Sequence, residues 1–290
     1  MVLSPAVADT AAAALESGRI CGTAGRCQRD MRAWAAEYPG LYGSNAFDPA
    51  LFSTLALAAA FSGPWFDAGQ LRMANRACLW CFGLDWLIDY QATAADEVAG
   101  LVARCLAIAD GGPAVPGDEL TAFLADLRDE LATAPGFAVL GPVWREDLAA
   151  MLDAMAREWH WKAAGTKPTF DEYLDNADNL GFSVVFTAHW AFTTPEVTQV
   201  AEVRAASRTV QRAIRLLNDL GTYERDVSWG DLNALLLGVD RDDVAARVAE
   251  LTGEVREQTT ALPPQIGGYL RRQLDFCAGF YGISDYWGDL

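Results

Sequence analysis

Asn218, Thr222 and Asp226 stand at i, i+4 and i+8 in the stretch Asn218-Asp219-Leu220-Gly221-Thr222-Tyr223-Glu224-Arg225-Asp226. On a helix of 3.6 residues per turn this spacing brings an amide, a hydroxyl and a carboxylate onto one face. Three hard oxygen donors suit Mg²⁺, and so sparse a set leaves coordination positions for water and for the oxygens of a phosphorylated substrate. The same three residues would also suit a solvated helix face. Upstream, Asp85 and Asp89 stand at i and i+4 inside an apolar, aromatic segment that runs from Cys78 to Tyr90. Burying an ionised carboxylate costs about several kcal/mol without a compensating cation, so two on one face of such a helix call for a metal or an arginine. The alternative is that both point to solvent between buried neighbours.

The elements that must position these residues are helical, because apolar residues recur at helical period and alternating strand patterns are scarce. Amphipathic runs are expected over Pro49–Phe61, Gln70–Tyr90, Ala95–Ala109, Gly117–Thr133 and Val143–Ala164. Further runs cover Thr169–Phe192, Pro195–Tyr223, Arg241–Leu262 and Pro264–Tyr281. Gly181-Phe182-Ser183 is expected to interrupt the run from Thr169, since glycine weakens a helix interior and serine bonds back to the backbone. The predicted fold is all-α, a helical bundle whose inward side chains share a central cavity.

Taken together, these motifs resemble the class I terpene synthase family, whose members carry an Asp-rich motif on one helix and an Asn, Ser/Thr, acid motif on a facing helix. The likeness continues through Asp226-Val227-Ser228-Trp229-Gly230-Asp231-Leu232-Asn233-Ala234 and through Pro168-Thr169-Phe170-Asp171-Glu172-Tyr173-Leu174. The resemblance implies that Asp85 and Asp89 bind Mg²⁺ from one side and that Asn218, Thr222 and Asp226 chelate it from the other. Three Mg²⁺ ions would then hold the diphosphate of a prenyl diphosphate substrate. It also implies a helix break at Gly181 that brings carbonyls near the departing diphosphate. Arg225 and Arg215 are the expected diphosphate partners, with Arg212 a weaker candidate. The allylic cation needs a dry cavity lined by aromatic faces. Phe82, Trp86, Phe182, Trp190 and Tyr286 are the expected lining, although Trp86, like Trp80, would also fit the core.

The chain departs from the family pattern in three places. Trp86 replaces the second adjacent aspartate of the first motif, and Asp226 stands where glutamate is usual. Ala177 occupies the position where many bacterial members carry an arginine that senses diphosphate. The segment Glu172–Ala177 and the terminal Asp285-Tyr286 look like plant members, kaurene synthases among them. This favours a diterpene synthase acting on a bicyclic copalyl diphosphate, with linear geranylgeranyl or farnesyl diphosphate as alternatives. Prenyl chain-elongating and head-to-head synthases fit worse, because Asn218 to Asp226 is not a second Asp-rich pair. A non-catalytic diphosphate-binding module of the same fold is the remaining reading.

Composition agrees with this expectation. The 290 residues are 52% hydrophobic, and no Gly/Ser- or Pro-rich linker divides them. A single domain over 1–290 is predicted, with 1–15 the segment where order is least expected. A net charge of −17 disfavours nucleic acid as a partner. No apolar segment is long enough to span a bilayer and no signal-peptide pattern is present, so a cytoplasmic location is expected. Cys78 and Cys81 form a lone CxxC in an apolar run, best read as buried thiols. His160 and His189 are too few for a histidine metal site. Oligomeric state, a homodimer included, is left open.

Overall fold

The computed structural model describes residues 5–288, with side chains from residue 10 onward. Among these residues there is no strand, and the chain is a bundle of α-helices, in agreement with the all-α expectation. The helices are α1 (Pro5–Glu37), α2 (Pro39–Tyr42), α3 (Pro49–Ser62), α4 (Arg72–Trp86), α5 (Ala95–Ala109) and α6 (Glu119–Leu131). They continue as α7 (Phe137–Ala164), α8 (Phe170–Asp175), α9 (Phe182–Thr193), α10 (Val200–Trp229), α11 (Arg241–Thr260) and α12 (Pro264–Phe280). No helix among the described residues is long and apolar enough to cross a membrane.

Local chemistry explains several boundaries. Asp48 begins α3 by accepting from the Leu51 amide at 2.8 Å, with Pro49 at the first helical position. Asp118 does the same for α6 through Thr121. Thr169 and Glu172 exchange side-chain bonds with each other's amides, a capping box that starts α8. The run expected over Thr169–Phe192 is divided at this point. After α8 the chain forms a 3-10 turn over Ala177–Leu180, and Gly181, at φ +68°, starts α9. A side chain there would be strained by the backbone alone, and its Cβ would meet Met151 Sδ at 2.8 Å and Cys81 Sγ at 3.2 Å.

Two long helices depart from the expected runs: none is expected over α1, and α7 begins earlier than expected. α1 has low sequence contrast, yet it presents the buried row Ile20, Ala24, Cys27, Met31 and Ala35 to the core, which is how tertiary packing maintains a weak helix. Residues 1–4 of the segment expected to be least ordered lie outside the described residues, and the helix already runs from Pro5. α7 starts at Phe137 rather than Val143 and carries Pro142 inside it.

The core lies around α4, whose Leu79, Trp80 and Leu84 are almost fully buried. Trp80 Nε1 donates to the Leu120 carbonyl at 3.0 Å, so its polar edge is satisfied. α10 crosses the bundle uninterrupted, so Asn218, Thr222 and Asp226 share one helix as their spacing predicts. It packs closely on the end of α12, where a Cβ on Gly221 would come within 2.5 Å of the Tyr281 carbonyl oxygen.

Candidate active site

Asp85, Asp89, Asn218, Arg225 and Asp226 line one cavity between α4 and α10, joined by Glu158 and Lys162 of α7 and by Asp231 after α10. Five carboxylates therefore share this end with two cations. The α4 wall holds its carboxylates through an irregularity: α4 ends at Trp86 and the chain continues as a π turn over Leu87–Gln91. Such turns often accompany functional sites. Burial raises the Asp85 pKa to about 6, with Asp231 and Glu158 adding repulsion and a hydrogen bond from Asp89 opposing it. Asp89 is solvent-exposed at the cavity surface, yet desolvation by the surrounding walls and then repulsion from Asp85, Asp231 and Glu158 push it above the usual carboxylate range.

The α10 wall is different. Asp226 is buried, but Thr222 Oγ1 donates to its Oδ2 at 2.7 Å, Asn233 Nδ2 donates to the same oxygen at 2.9 Å and Arg225 Nη2 meets Oδ1 at 3.2 Å. Burial raises the Asp226 pKa and these bonds partly offset it. Behind it, Asp219 accepts from the Tyr173 hydroxyl at 2.8 Å and from the Ala234 amide at 3.2 Å, while Asn233 donates to the Asp219 carbonyl. This network ties α8 and the 231–234 turn to α10.

Thr222 is 1% exposed and does not reach the cavity surface, so it orients Asp226 instead of facing substrate. Arg215 also lies behind the wall. It is 2% exposed, sits 3.8 Å over the Tyr173 ring, pairs with Glu158 at 2.8 Å and donates to Asn179 Oδ1. Its neighbours Glu158 and Asn179 are the groups that reach the cavity. Arg212 pairs with Asp175 at 3.2 Å, away from the site. Arg225 does face the cavity, held by Asp226 and by Asp285 at 2.9 Å, with its guanidinium 4.9 Å over Trp229.

The other end of the cavity is apolar. Leu55, Ala58, Ala59, Phe82, Phe182 and Val185 line it, and Tyr286 lies 5.5 Å from Phe82, edge to face. Phe82, Phe182 and Tyr286 thus occupy the expected lining, whereas Trp86 and Trp190 do not. Trp190 is 2% exposed and stacks in the core on Phe186. Trp86 stands behind the wall, stacked on Tyr90 at 4.7 Å and against Trp287, which lines the cavity in its place. Gly181 itself is not on the surface; its neighbours Leu180 and Phe182 are.

Sequence reasoning missed Glu158 and Lys162 as site residues, and Asp231 was noticed only as part of a motif. The signal was present: Glu158 and Lys162 stand at i and i+4 among Trp159 and Trp161, the pattern of charge in greasy company that flagged Asp85 and Asp89. No three carboxylate, His or Cys side chains among the described residues converge into a metal cage. The donors nevertheless fit Mg²⁺: they are hard oxygens on facing walls, in a cavity where carboxylates exceed cations and where desolvation, with repulsion added, raises two of them out of their usual pKa range.

This fold and site define a terpene synthase. Residues 76–252, more than half of the chain, match the family "Terpene synthase family 2, C-terminal metal binding", and the chain belongs to that family. An ent-pimara-9(11),15-diene synthase from Streptomyces sp. (strain KO-3988) is 28% identical over 274 residues, covering 89% of this chain and 90% of that protein. A (12E)-labda-8(17),12,14-triene synthase from Streptomyces cyslabdanicus is 27% identical over 225 residues, covering 73% and 66%. Among solved structures, linalool/nerolidol synthase from Streptomyces clavuligerus in complex with 2-fluorogeranyl diphosphate superposes with a TM-score of 0.70 at 17% identity, covering 89% of this chain and 96% of that one. Isoprene synthase from grey poplar, in complex with three Mg²⁺ ions and dimethylallyl-S-thiolodiphosphate, gives 0.72 at 15% identity, covering 92% and 55%. These two likenesses concern the fold.

Proposed function

We propose that this terpene synthase is a Mg²⁺-dependent diterpene synthase. It ionises a prenyl diphosphate, by preference a bicyclic copalyl-type diphosphate, and releases diphosphate and a rearranged or further cyclised diterpene. The observation that carries this reading is the division of one cavity into a carboxylate-rich end and an apolar, aromatic end. A molecule with a diphosphate at one extremity and a hydrocarbon body matches that division. The pimaradiene and labdatriene synthases among its relatives support a diterpene product. Arg225 pairs with Asp285 of the plant-like Asp-Tyr segment, and the copalyl preference rests on that likeness in sequence.

Asp85, Asp89, Asn218 and Asp226 are the residues that would hold Mg²⁺, with Thr222 and Asn233 fixing Asp226. Bound Mg²⁺ supplies Lewis-acid stabilisation of the negative charge that grows on the leaving group. Arg225 and Lys162 add donors aimed at that charge. Once the C–O bond has broken, Phe82, Phe182, Tyr286 and Trp287 exclude water and present ring faces to the cation.

The test is incubation with Mg²⁺ and, separately, farnesyl, geranylgeranyl and the copalyl diphosphate stereoisomers, followed by gas chromatography and mass spectrometry of hexane extracts. Product from a copalyl diphosphate alone is expected. Product from a linear substrate only would overturn the bicyclic preference, and no diphosphate release from any of them would overturn the catalytic assignment of the site.

A further inference from the structure

The cavity is not apolar to its floor. Asn75 lies ten residues before Asp85 on the same face of α4, about 15 Å along the helix axis at 1.5 Å per residue. It lines the cavity and is 1% exposed, and its Nδ2, which leans on the Cys27 thiol, makes no well-formed hydrogen bond. A buried amide left without a good acceptor is costly unless something in the cavity answers it. Gln273 of α12 lines the same cavity. Its Oε1 accepts from Ser62 at 2.7 Å, while its Nε2 reaches only the Cys277 sulfur at 3.4 Å.

The two amides belong to one level of the cavity. α4 meets the segment after α12 at Phe82 and Tyr286, 5.5 Å apart, and Cys78 of α4 lines the same cavity as Tyr269 and Cys277 of α12. Asn75 is one turn below Cys78, and Gln273 lies between Tyr269 and Cys277. The cavity surface therefore carries two amides whose N–H groups find only thiol sulfur, a weak acceptor, as a protein partner, in a cavity also lined by Leu55, Ala58 and Ala59.

Resting on the function proposed above, we infer that Asn75 and Gln273 hold a water molecule at the cavity floor, and that this water ends the reaction as the nucleophile, so that the main product is a diterpene alcohol. The two amide donors engage both lone pairs of the water oxygen at rest, and one of these hydrogen bonds is given up to free a lone pair for the cation. The new C–O bond forms from that lone pair, one water O–H bond breaks, and its proton passes to the diphosphate released in the same turnover. The two bond changes convert the cation and water into an alcohol and a protonated diphosphate.

The experiment is turnover of the accepted diphosphate in H₂¹⁸O with wild-type protein, Asn75→Leu, Gln273→Leu and the double variant, reading diphosphate release and product mass. The expected result is an alcohol carrying ¹⁸O from wild type, and at least a tenfold fall in the alcohol-to-hydrocarbon ratio in the double variant. That ratio is internal to each sample, so a loss of folded protein does not move it. Diphosphate release with a hydrocarbon as the sole wild-type product would overturn the inference and leave the proposed function standing. An ¹⁸O-labelled alcohol whose share is unchanged in the folded double variant would overturn the assignment to these two residues. Should neither variant fold, the wild-type label alone decides whether water is the terminating nucleophile. Absence of diphosphate release from wild type is the failure of the function itself.

Discussion

The two walls of the charged end solve the same problem in opposite ways. On α10, Asp226 is buried among donors that the protein provides: Thr222, Asn233 and Arg225. On α4, Asp85 and Asp89 have mainly each other, and more carboxylates opposite. One wall is preorganised and the other is left short of positive charge. The difference teaches that the fold bears the cost of a metal site asymmetrically. α10 and its supporting turn fix geometry, while α4 stores repulsion that a divalent cation would relieve.

Removing a donor from each wall should therefore have the same effect on turnover and different effects on stability. Asp85→Ala and Asn218→Ala should each lower turnover by about 10²–10³-fold or more, the range for losing one preorganised electrostatic element, with folding intact. Asp85→Ala should leave the thermal midpoint of the metal-free protein unchanged or higher, because it removes a half-buried carboxylate that its neighbours repel. Near-wild-type diphosphate release in either variant would reject its assigned ligand role. Asp226→Ala should instead destabilise by about 3 kcal/mol, because Thr222, Asn233 and Arg225 all lose their acceptor. Equal midpoints for the Asp85 and Asp226 variants in thermal unfolding would erase the contrast between the walls.

How much of this contrast was legible in the sequence follows from the physics of each wall. The stripe on α10 could be read because helix periodicity alone places Asn218, Thr222 and Asp226 on one face, and the aromatic context of Asp85 and Asp89 marked carboxylates in apolar company, of which Asp85 is half-buried and Asp89 exposed. Arg215 misled, because spacing one turn before Asn218 says which face it shares but not that Glu158, 57 residues upstream, would claim its guanidinium. Trp190 and Trp86 misled for a related reason: periodicity within α9 and α4 cannot tell which of two inward faces meets the cavity and which meets Phe186 or Trp287. The π turn at Leu87–Gln91 leaves no trace in local propensity. Glu158 and Lys162 carried the right pattern, but their helix had no matching motif to draw notice.

A third buried ionisable group calibrates the comparison. His189 lies against Phe66 and Tyr269 with neither ring nitrogen bonded, and burial alone lowers its pKa to about 3. In the unfolded chain it takes up a proton below about 6.5, whereas the folded protein refuses one until about 3, so stability is lost as pH falls through that window. By pH 5 the penalty should reach about 2 kcal/mol, at 1.36 kcal/mol per unit. His189→Phe should flatten the dependence between pH 6.5 and 5 in denaturant titrations. An unchanged slope would mean that the acid sensitivity of the fold arises elsewhere.

The smallest expected effect lies between the walls. Lys162 pairs with Asp231, and both side chains are partly open to solvent at 30% and 24% exposure. With Arg215 and Arg212 engaged elsewhere, Lys162 and Arg225 are the two cations on the cavity surface among the described residues. A diphosphate entering with Mg²⁺ competes with Asp231 for the Lys162 ammonium. Lys162→Gln should therefore weaken binding of inorganic pyrophosphate in saturating Mg²⁺ by about tenfold, equivalent to about 1.4 kcal/mol, measured by titration calorimetry. Asp231→Asn frees the same ammonium and should tighten it. Opposite shifts from the two variants would identify the pair as a carboxylate that yields its cation to the ligand. A loss of affinity in both would instead make Asp231 act with the α4 carboxylates, and the asymmetry between the walls would then extend to the turn that follows α10.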